Sequence, residues 1–348
     1  MRALHWITET DGPFAAAYYD GSHETEDAER QLELRWRSAR DQLKQQGADE
    51  ATLEAMDKAA LDPAPGRALV AARGTVLLDE ELAVPPVLPE ARYSAVPYLL
   101  PLARLAPRDL PYVVVITDRT GADVRIGGRR AETVQGREFP VHKVRGGGWA
   151  HHHIQARVEE VARQNMDHVA REVAKLCDEQ GARLLIVAGE VQSRAELLGR
   201  LPPRAKQIAV ETDIGRRGEG WNTKELDQEV VTLVTTKAEA EVAAEIESRR
   251  GGQLYVHGLK DTLNALSMAN VDALLISEAF DGERPIWLGP QRNVVALSEA
   301  ELIDLGMTEV QQARADEALP VAALAVDADI IPVGEPLDDG IGALLRHT

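Results

Sequence analysis

Apolar residues in this chain recur at the 3.6-residue spacing of helices in three long stretches and run without interruption in several short ones, a mixture that predicts an α/β protein. Over residues 24–46, Leu32, Trp36, Ala39 and Leu43 fall four, three and four apart, so one face of a helix is apolar, and Gly47 ends it. Over 154–180, Ile154, Val158, Val161, Val169, Val173 and Leu176 form a stripe, while Arg157, Arg163, Arg171 and Lys175 lie mostly off it. A third helix starts at Thr223, carries Leu226, Val230, Leu233, Val234, Val242 and Ile246, and runs to Arg249 and Arg250. Shorter helices are predicted at 50–61 and 193–200.

Strands are predicted at 14–19, at 67–72 paired with 75–79 across Arg73-Gly74, at 112–117 paired with 122–126 across the turn D-R-T-G, and at 183–188 and 207–210. Ahead of them stand a short apolar segment at 5–7 and the turn signal Asp11-Gly12-Pro13. Seven of the eighteen prolines fall between Pro85 and Pro111, which disfavours a continuous helix or a central strand there. A boundary is therefore expected near the end of that stretch, with 99–105 able to pack on either neighbour. The predicted organisation is three α/β domains with mixed sheets flanked by helices, at 1–108, 109–249 and 250–348.

Composition sharpens this reading. With 44% hydrophobic and 28% charged residues the chain can build cores, and it has no apolar run of membrane-spanning length and no signal-peptide core, so a cytoplasmic protein is expected. The single cysteine, Cys177, excludes an internal disulfide and a multi-cysteine metal site, and its place in a helical pattern suggests a small core residue. The net charge of -18 argues against general coating of nucleic acid. The charge is unevenly spread. Between Arg125 and Arg157 seven basic residues face two acids, an excess of +5, whereas residues 251–348 hold five basic and sixteen acidic residues, or -11.

The basic run contains V-R-G-G-G-W-A-H-H-H-I-Q. Gly146, Gly147 and Gly148 permit close backbone approach, Trp149 offers a stacking surface, and Arg137, Lys143, Arg145, His151, His152, His153 and Arg157 supply cationic or hydrogen-bonding groups. A loop entering folded RNA needs these features; a surface loop with no partner is the alternative. Arg216 and Arg217, among glycines 215, 218 and 220, form a second basic segment. Consecutive histidines on a helix point about 100° apart and cannot close one metal sphere, and no G-x-x-x-x-G-K-[ST] is present, so neither a metal nor a nucleotide cofactor is expected. Ser277-Glu278, Asp327 and Asp329 read as a strand end and a solvated face, not as catalytic groups.

Gly258-Leu259, Thr262-Leu263, Ala265-Leu266, Ala269, Val271-Asp272 and Leu274-Leu275-Ile276-Ser277 resemble the start of the third domain of the archaeo-eukaryotic class-1 release factor and Pelota family, in its bacterial branch, which includes ribosome hibernation factors. The glycine loop before a long helix sits where that family carries its peptidyl-transferase loop. The resemblance covers residues 112 to the C-terminus best. It implies a non-enzymatic factor that binds the vacant A site of the 70S ribosome, touching 16S rRNA at the decoding side and 23S rRNA at the peptidyl-transferase side, with elongation factor Tu as partner of the acidic third domain. It implies no membrane or DNA partner. Two departures bear on chemistry. The loop reads Gly-Gly-Gly-Trp where release factors have Gly-Gly-Gln, and no stop-codon-reading motif is found in the first domain. The Gly-Gly-Gln at 251–253 falls between a helix and a strand, the wrong context, and reads as a coincidence. Peptide release or stalled-ribosome rescue by peptidyl-tRNA hydrolysis is the alternative function, and an unrelated metabolic α/β enzyme the third.

Overall fold

The computed structural model describes residues 1–21, 28–62, 64–82, 85–86, 89–105, 110–127, 129–135, 149–215 and 223–348, including side chains except those of 28, 129–135, 149–162 and 223. The fold is mixed α/β with four sheets among the described residues, the class predicted. The chain divides into two compact units, one formed by residues 1–107 with 242–348 and the other by 108–241.

In the first unit, a 3-10 helix at Arg2–Glu9 replaces the short apolar segment expected there. The strand β1 (Phe14–Tyr19) is followed by helices α1 (Ala28–Gln45) and α2 (Glu50–Asp57), strands β2 (Gly66–Ala72), β3 (Thr75–Leu82) and β4 (Glu90–Ser94), and helix α3 (Leu100–Leu105). The sheet order is β3-β2-β1-β4, all antiparallel. Every residue of β1 is buried because both sheet faces are covered. Ala15, Ala17 and Tyr19 meet Leu32, Trp36, Ala39 and Leu43 of α1, as that helix's spacing predicts. Phe14, Ala16 and Tyr18 turn the other way, into a core that Leu99, Leu100 and Leu102 share with residues from the last third of the chain. Among the described residues of the proline-rich stretch there are an edge strand and one short helix, in keeping with its missing N–H donors.

The second unit holds β5 (Tyr112–Asp118), β6 (Gly121–Ile126), β7 (Arg129–Gln135), α4 (Trp149–Glu179), β8 (Leu184–Gly189), α5 (Val191–Arg200), α6 (Pro203–Gln207), β9 (Ala209–Glu211) and the first part of α7 (Thr223–Gly251). The sheet order is β7-β6-β5-β8-β9; the β5–β6 and β6–β7 pairs are antiparallel, and β5, β8 and β9 run parallel. Val113, Val115, Leu185 and Val187 pack against Met166, Val169, Val173 and Cys177 of α4. Val114, Ile116, Ile186 and Ala188 pack on the opposite face against Leu226, Val230 and Val234 of α7. Burial on both faces explains the uninterrupted apolar runs of β5 and β8. The hairpin at 112–126 forms as expected; α6 went unread because a five-residue helix has no measurable period.

The last third continues the first unit with β10 (Tyr255–His257), α8 (Leu259–Ser267), β11 (Val271–Ser277), β12 (Pro285–Leu288), β13 (Val295–Ala296), α9 (Glu299–Asp304), β14 (Gln311–Arg314), α10 (Ala315–Leu324), β15 (Asp329–Val333) and β16 (Ile341–Leu345). They make one sheet ordered β10-β16-β11-β15 and a small one ordered β13-β12-β14. All ten residues of α10 are buried, including the charged Asp316 and Glu317.

Asp272 joins three parts of this unit. It accepts hydrogen bonds from Arg2 Nη2 at 2.8 Å and from Arg249 Nη2, in the last turn of α7, at 2.7 Å, and Arg2 Nε also donates to Asp329 at 2.7 Å. Burial alone would raise the Asp272 pKa, but the hydrogen bonds from Arg249 and Arg2 outweigh it and hold the carboxyl below its usual range. A depressed folded-state value stabilises the fold above the unfolded-state pKa and that stabilisation disappears as pH falls through the folded value. Asp272→Asn is therefore expected to lower stability by about 1–2 kcal/mol at neutral pH, with the deficit shrinking between about pH 5 and 3, as read by chemical denaturation across that range.

Candidate functional site

The direction of the strands in the second unit decides where its loops gather. β7 is antiparallel to β6, which is antiparallel to β5, so β7 runs with β5, β8 and β9. Asp118, Gln135, Gly189 and Glu211, the last residues of those four strands, therefore stand at one end of the sheet. The segment with Arg137, Lys143, Arg145, Gly146, Gly147 and Gly148 leaves the sheet after Gln135, and the segment with Arg216 and Arg217 leaves it after Glu211. These eight residues lie outside the described residues, but both segments are attached at the carboxyl end of the sheet, where open α/β sheets place their ligands.

Trp149 is the first residue of α4, so the helix begins five residues before the expected position 154. Nothing between Trp149 and Glu179 is a glycine or proline, so the period extends without a breaker. His151, His152, His153 and Arg157 occupy the opening turns of that helix, with side chains outside those described. The base of the helix is firmly held by the Met166 to Cys177 face. Cys177 is 2% exposed and burial pushes its thiol up to about 11, which fits the expected core role.

The described rim is made of tight turns. Asp118 Oδ1 accepts from Thr120 N at 2.7 Å and Gly121 N at 3.0 Å, closing the β5–β6 turn. Gly189 has φ 119° and lies so close to β5 that an added Cβ would come within 2.0 Å of the Thr117 carbonyl oxygen. Arg194 of α5, buried, donates from Nε to Glu211 Oε1 at 2.7 Å and from Nη1 to the Gly189 carbonyl at 3.2 Å, tying β8 to the end of β9. Asp118, Glu190, Glu211 and Asp213 outnumber Arg119 and Arg194 on this rim. The described part of the rim therefore carries a surplus of acidic over basic side chains. Arg125, one of the basic run, pairs with Asp227 at 2.8 Å, so its charge is locally balanced.

The other candidates resolve structurally. Gly251 ends α7, and Gln253 takes φ 60° in the turn before β10. Ser277 is buried at the end of β11 and donates to the Gly340 carbonyl at 3.2 Å. Asp329 is paired with Arg2 at the surface, and Asp327, exposed, sits at φ 55° with His5 Nδ1 3.4 Å away, as the reading of a solvated face expects. Among the described residues, no group of histidine, cysteine, aspartate and glutamate could hold a metal ion, and no helix is long and apolar enough to cross a membrane.

Residues 111–253, which include both basic segments and the whole sheet, match the bacterial archaeo-eukaryotic release factor family 2. The uncharacterized protein Rv2629 of Mycobacterium tuberculosis is 36% identical over 361 residues, spanning 99% of this chain and 96% of its own length. Among solved structures, the chain is similar to the archaeal translation termination factor aRF1 (17% identity, TM-score 0.24, 99% of this chain and 96% of that one). It is also similar to Archaeoglobus fulgidus Pelota (17%, TM-score 0.40, 81% and 80%) and to archaeal Pelota in a ribosome-bound model with ABCE1 (13%, TM-score 0.37, 99% and 94%). On the match of its middle region and the full-length identity to the mycobacterial relative, the chain belongs to the bacterial archaeo-eukaryotic release factor family 2.

Proposed function

We propose that this protein is a ribosome-binding translation factor that occupies the vacant A site and holds translation off during dormancy, acting by occupancy and not by bond cleavage. The observation that carries the reading is the attachment of both basic segments, the glycine–tryptophan loop and Arg216-Arg217, to one end of a single sheet in a member of a release-factor family. Cations on two segments that leave the same end of one sheet can bind rRNA phosphates while Trp149 or a histidine stacks on an unpaired base. The surplus negative charge of residues 251–348 repels rRNA and suits a protein partner, for which elongation factor Tu is the choice the family resemblance offers.

Occupancy is favoured over hydrolysis because the loop has Trp149 where a release factor places the glutamine that positions water. On this reading the protein pellets with vacant 70S ribosomes, is displaced by A-site tRNA, and releases no peptide from ribosomes charged with peptidyl-tRNA. Release of peptide in that assay would move the assignment to termination or rescue.

A further inference from the structure

The outer edge of β4 is occupied in an unusual way. Among the described residues the strand pairs with β1 alone, and Ala91 and Tyr93 present a carbonyl and an N–H to the other side. Both are taken by one side-chain amide: Gln46, just past the end of α1, donates from Nε2 to the Ala91 carbonyl at 3.0 Å and accepts from Tyr93 N at 2.7 Å. A carboxamide is chemically a peptide group, and its donor and acceptor here satisfy the two backbone positions that an added strand would satisfy. Gln46 is exposed, so what it covers is within reach from solvent.

Beside this edge lies an open cleft of about 590 Å³. One wall is Arg92, Tyr93 and Ser94 of β4; the other is Gln312, Ala313 and Arg314 of β14, itself the edge of the small sheet. Across the cleft, Arg92 Nη1 reaches Asp316 Oδ1 at 2.9 Å and Glu317 Oε1 at 3.3 Å, and Arg314 reaches Asp316 Oδ2 at 2.9 Å and Glu283 Oε1 at 3.1 Å. Two cations, Arg92 and Arg314, stand against three carboxylates, Glu283, Asp316 and Glu317, which leaves a negative surplus in this cluster.

We propose that the outer edge of β4 is a docking strand for a short extended peptide segment bearing lysine or arginine, with the Gln46 carboxamide standing in for that peptide when it is absent. The backbone of the segment pairs with Ala91 and Tyr93, and alternate side chains enter the cleft toward Glu283 and Glu317. This goes beyond the ribosome-binding reading and does not depend on it, since none of these residues belongs to the second unit.

The test uses the full-length protein and three acetylated, amidated heptapeptide probes: Thr-Val-Lys-Val-Lys-Val-Thr, the same sequence with glutamate at both lysine positions, and the lysine peptide N-methylated at its central valine. Fluorescence anisotropy is expected to show the lysine peptide binding, with Gln46→Ala binding it roughly 2- to 10-fold tighter than wild type, the equivalent of removing competing neutral hydrogen bonds. N-methylation is expected to abolish binding and the glutamate peptide to bind at least about tenfold more weakly. Failure of the lysine peptide to bind either form, equal affinity of both forms, or undiminished binding of the N-methylated or glutamate peptide would each overturn the proposal.

Discussion

Gly189→Ala is expected to prevent stable folding of residues 108–241, with a loss of about 4 kcal/mol or more. Two independent obstacles act at this position. The φ of 119° is one that side-chain-bearing residues rarely adopt, and the added methyl would lie 2.0 Å from the Thr117 carbonyl and 2.7 Å from its nitrogen. Both atoms are backbone of the neighbouring strand, so no rotamer change relieves the clash; β5 and β8 would have to separate, and with them Val115 and Val187. Gly199 in α5 is the control. Nothing lies within 4 Å of a Cβ built there, and Gly199→Ala is expected to be neutral or to stabilise by about 0.5–1 kcal/mol. Denaturant unfolding combined with limited proteolysis distinguishes the two variants, and a Gly189→Ala protein of wild-type stability would show that the β5–β8 contact is looser than described.

Arg92→Met is expected to destabilise the first unit by about 2–4 kcal/mol, because it leaves buried carboxylates without a cation they share. Arg92 Nη1 lies 3.3 Å from Glu317 Oε1, and its guanidinium is 3.8 Å from the centroid of the Tyr98 ring. Asp316 keeps Arg314, so the loss falls mainly on Glu317. Burial already raises the Glu317 pKa, and removing the arginine, which opposes that rise, raises it further. An acid with a raised folded-state value destabilises the fold when charged, so stability decreases as pH rises from the unfolded-state value through the folded one. The deficit of Arg92→Met relative to wild type is therefore expected to be largest at neutral pH and to narrow toward about pH 4, where Glu317 is neutral in the variant. A deficit independent of pH would assign the effect to lost packing over Tyr98 instead.

What could be seen in the sequence follows from how local each cause is. The α1 face of Leu32, Trp36, Ala39 and Leu43 was legible because a helix repeats over a few residues, and the β5–β6 hairpin because turn and alternation stand side by side. The ion pair of Arg92 with Asp316 was not, since 224 residues separate the partners and nothing near either signals the other. Charge alone suggests that Asp316 and Glu317 face solvent, yet the helix they open is buried along its whole length. Gln46 likewise carries no sign in sequence that its amide caps a strand 45 residues away. At the candidate site, composition located the glycine loop, its basic residues and the helix behind it, and the strand directions added that the second basic segment leaves from the same end of the sheet. That coincidence depends on the order β7-β6-β5-β8-β9, which no local pattern encodes.

The central claim is that the loop from Gly146 to Trp149 serves to enter a vacant RNA cavity of the ribosome. It is tested most directly by pelleting purified 70S ribosomes with an empty A site at near-physiological salt, in the presence of the full-length protein or of a variant lacking residues 146–149. Stoichiometric recovery of the full-length protein with the ribosomes, strong loss of the deletion variant, and competition by A-site tRNA are the expected results. A full-length protein that stays in the supernatant, or a deletion variant that pellets as well as the intact chain, would contradict the account.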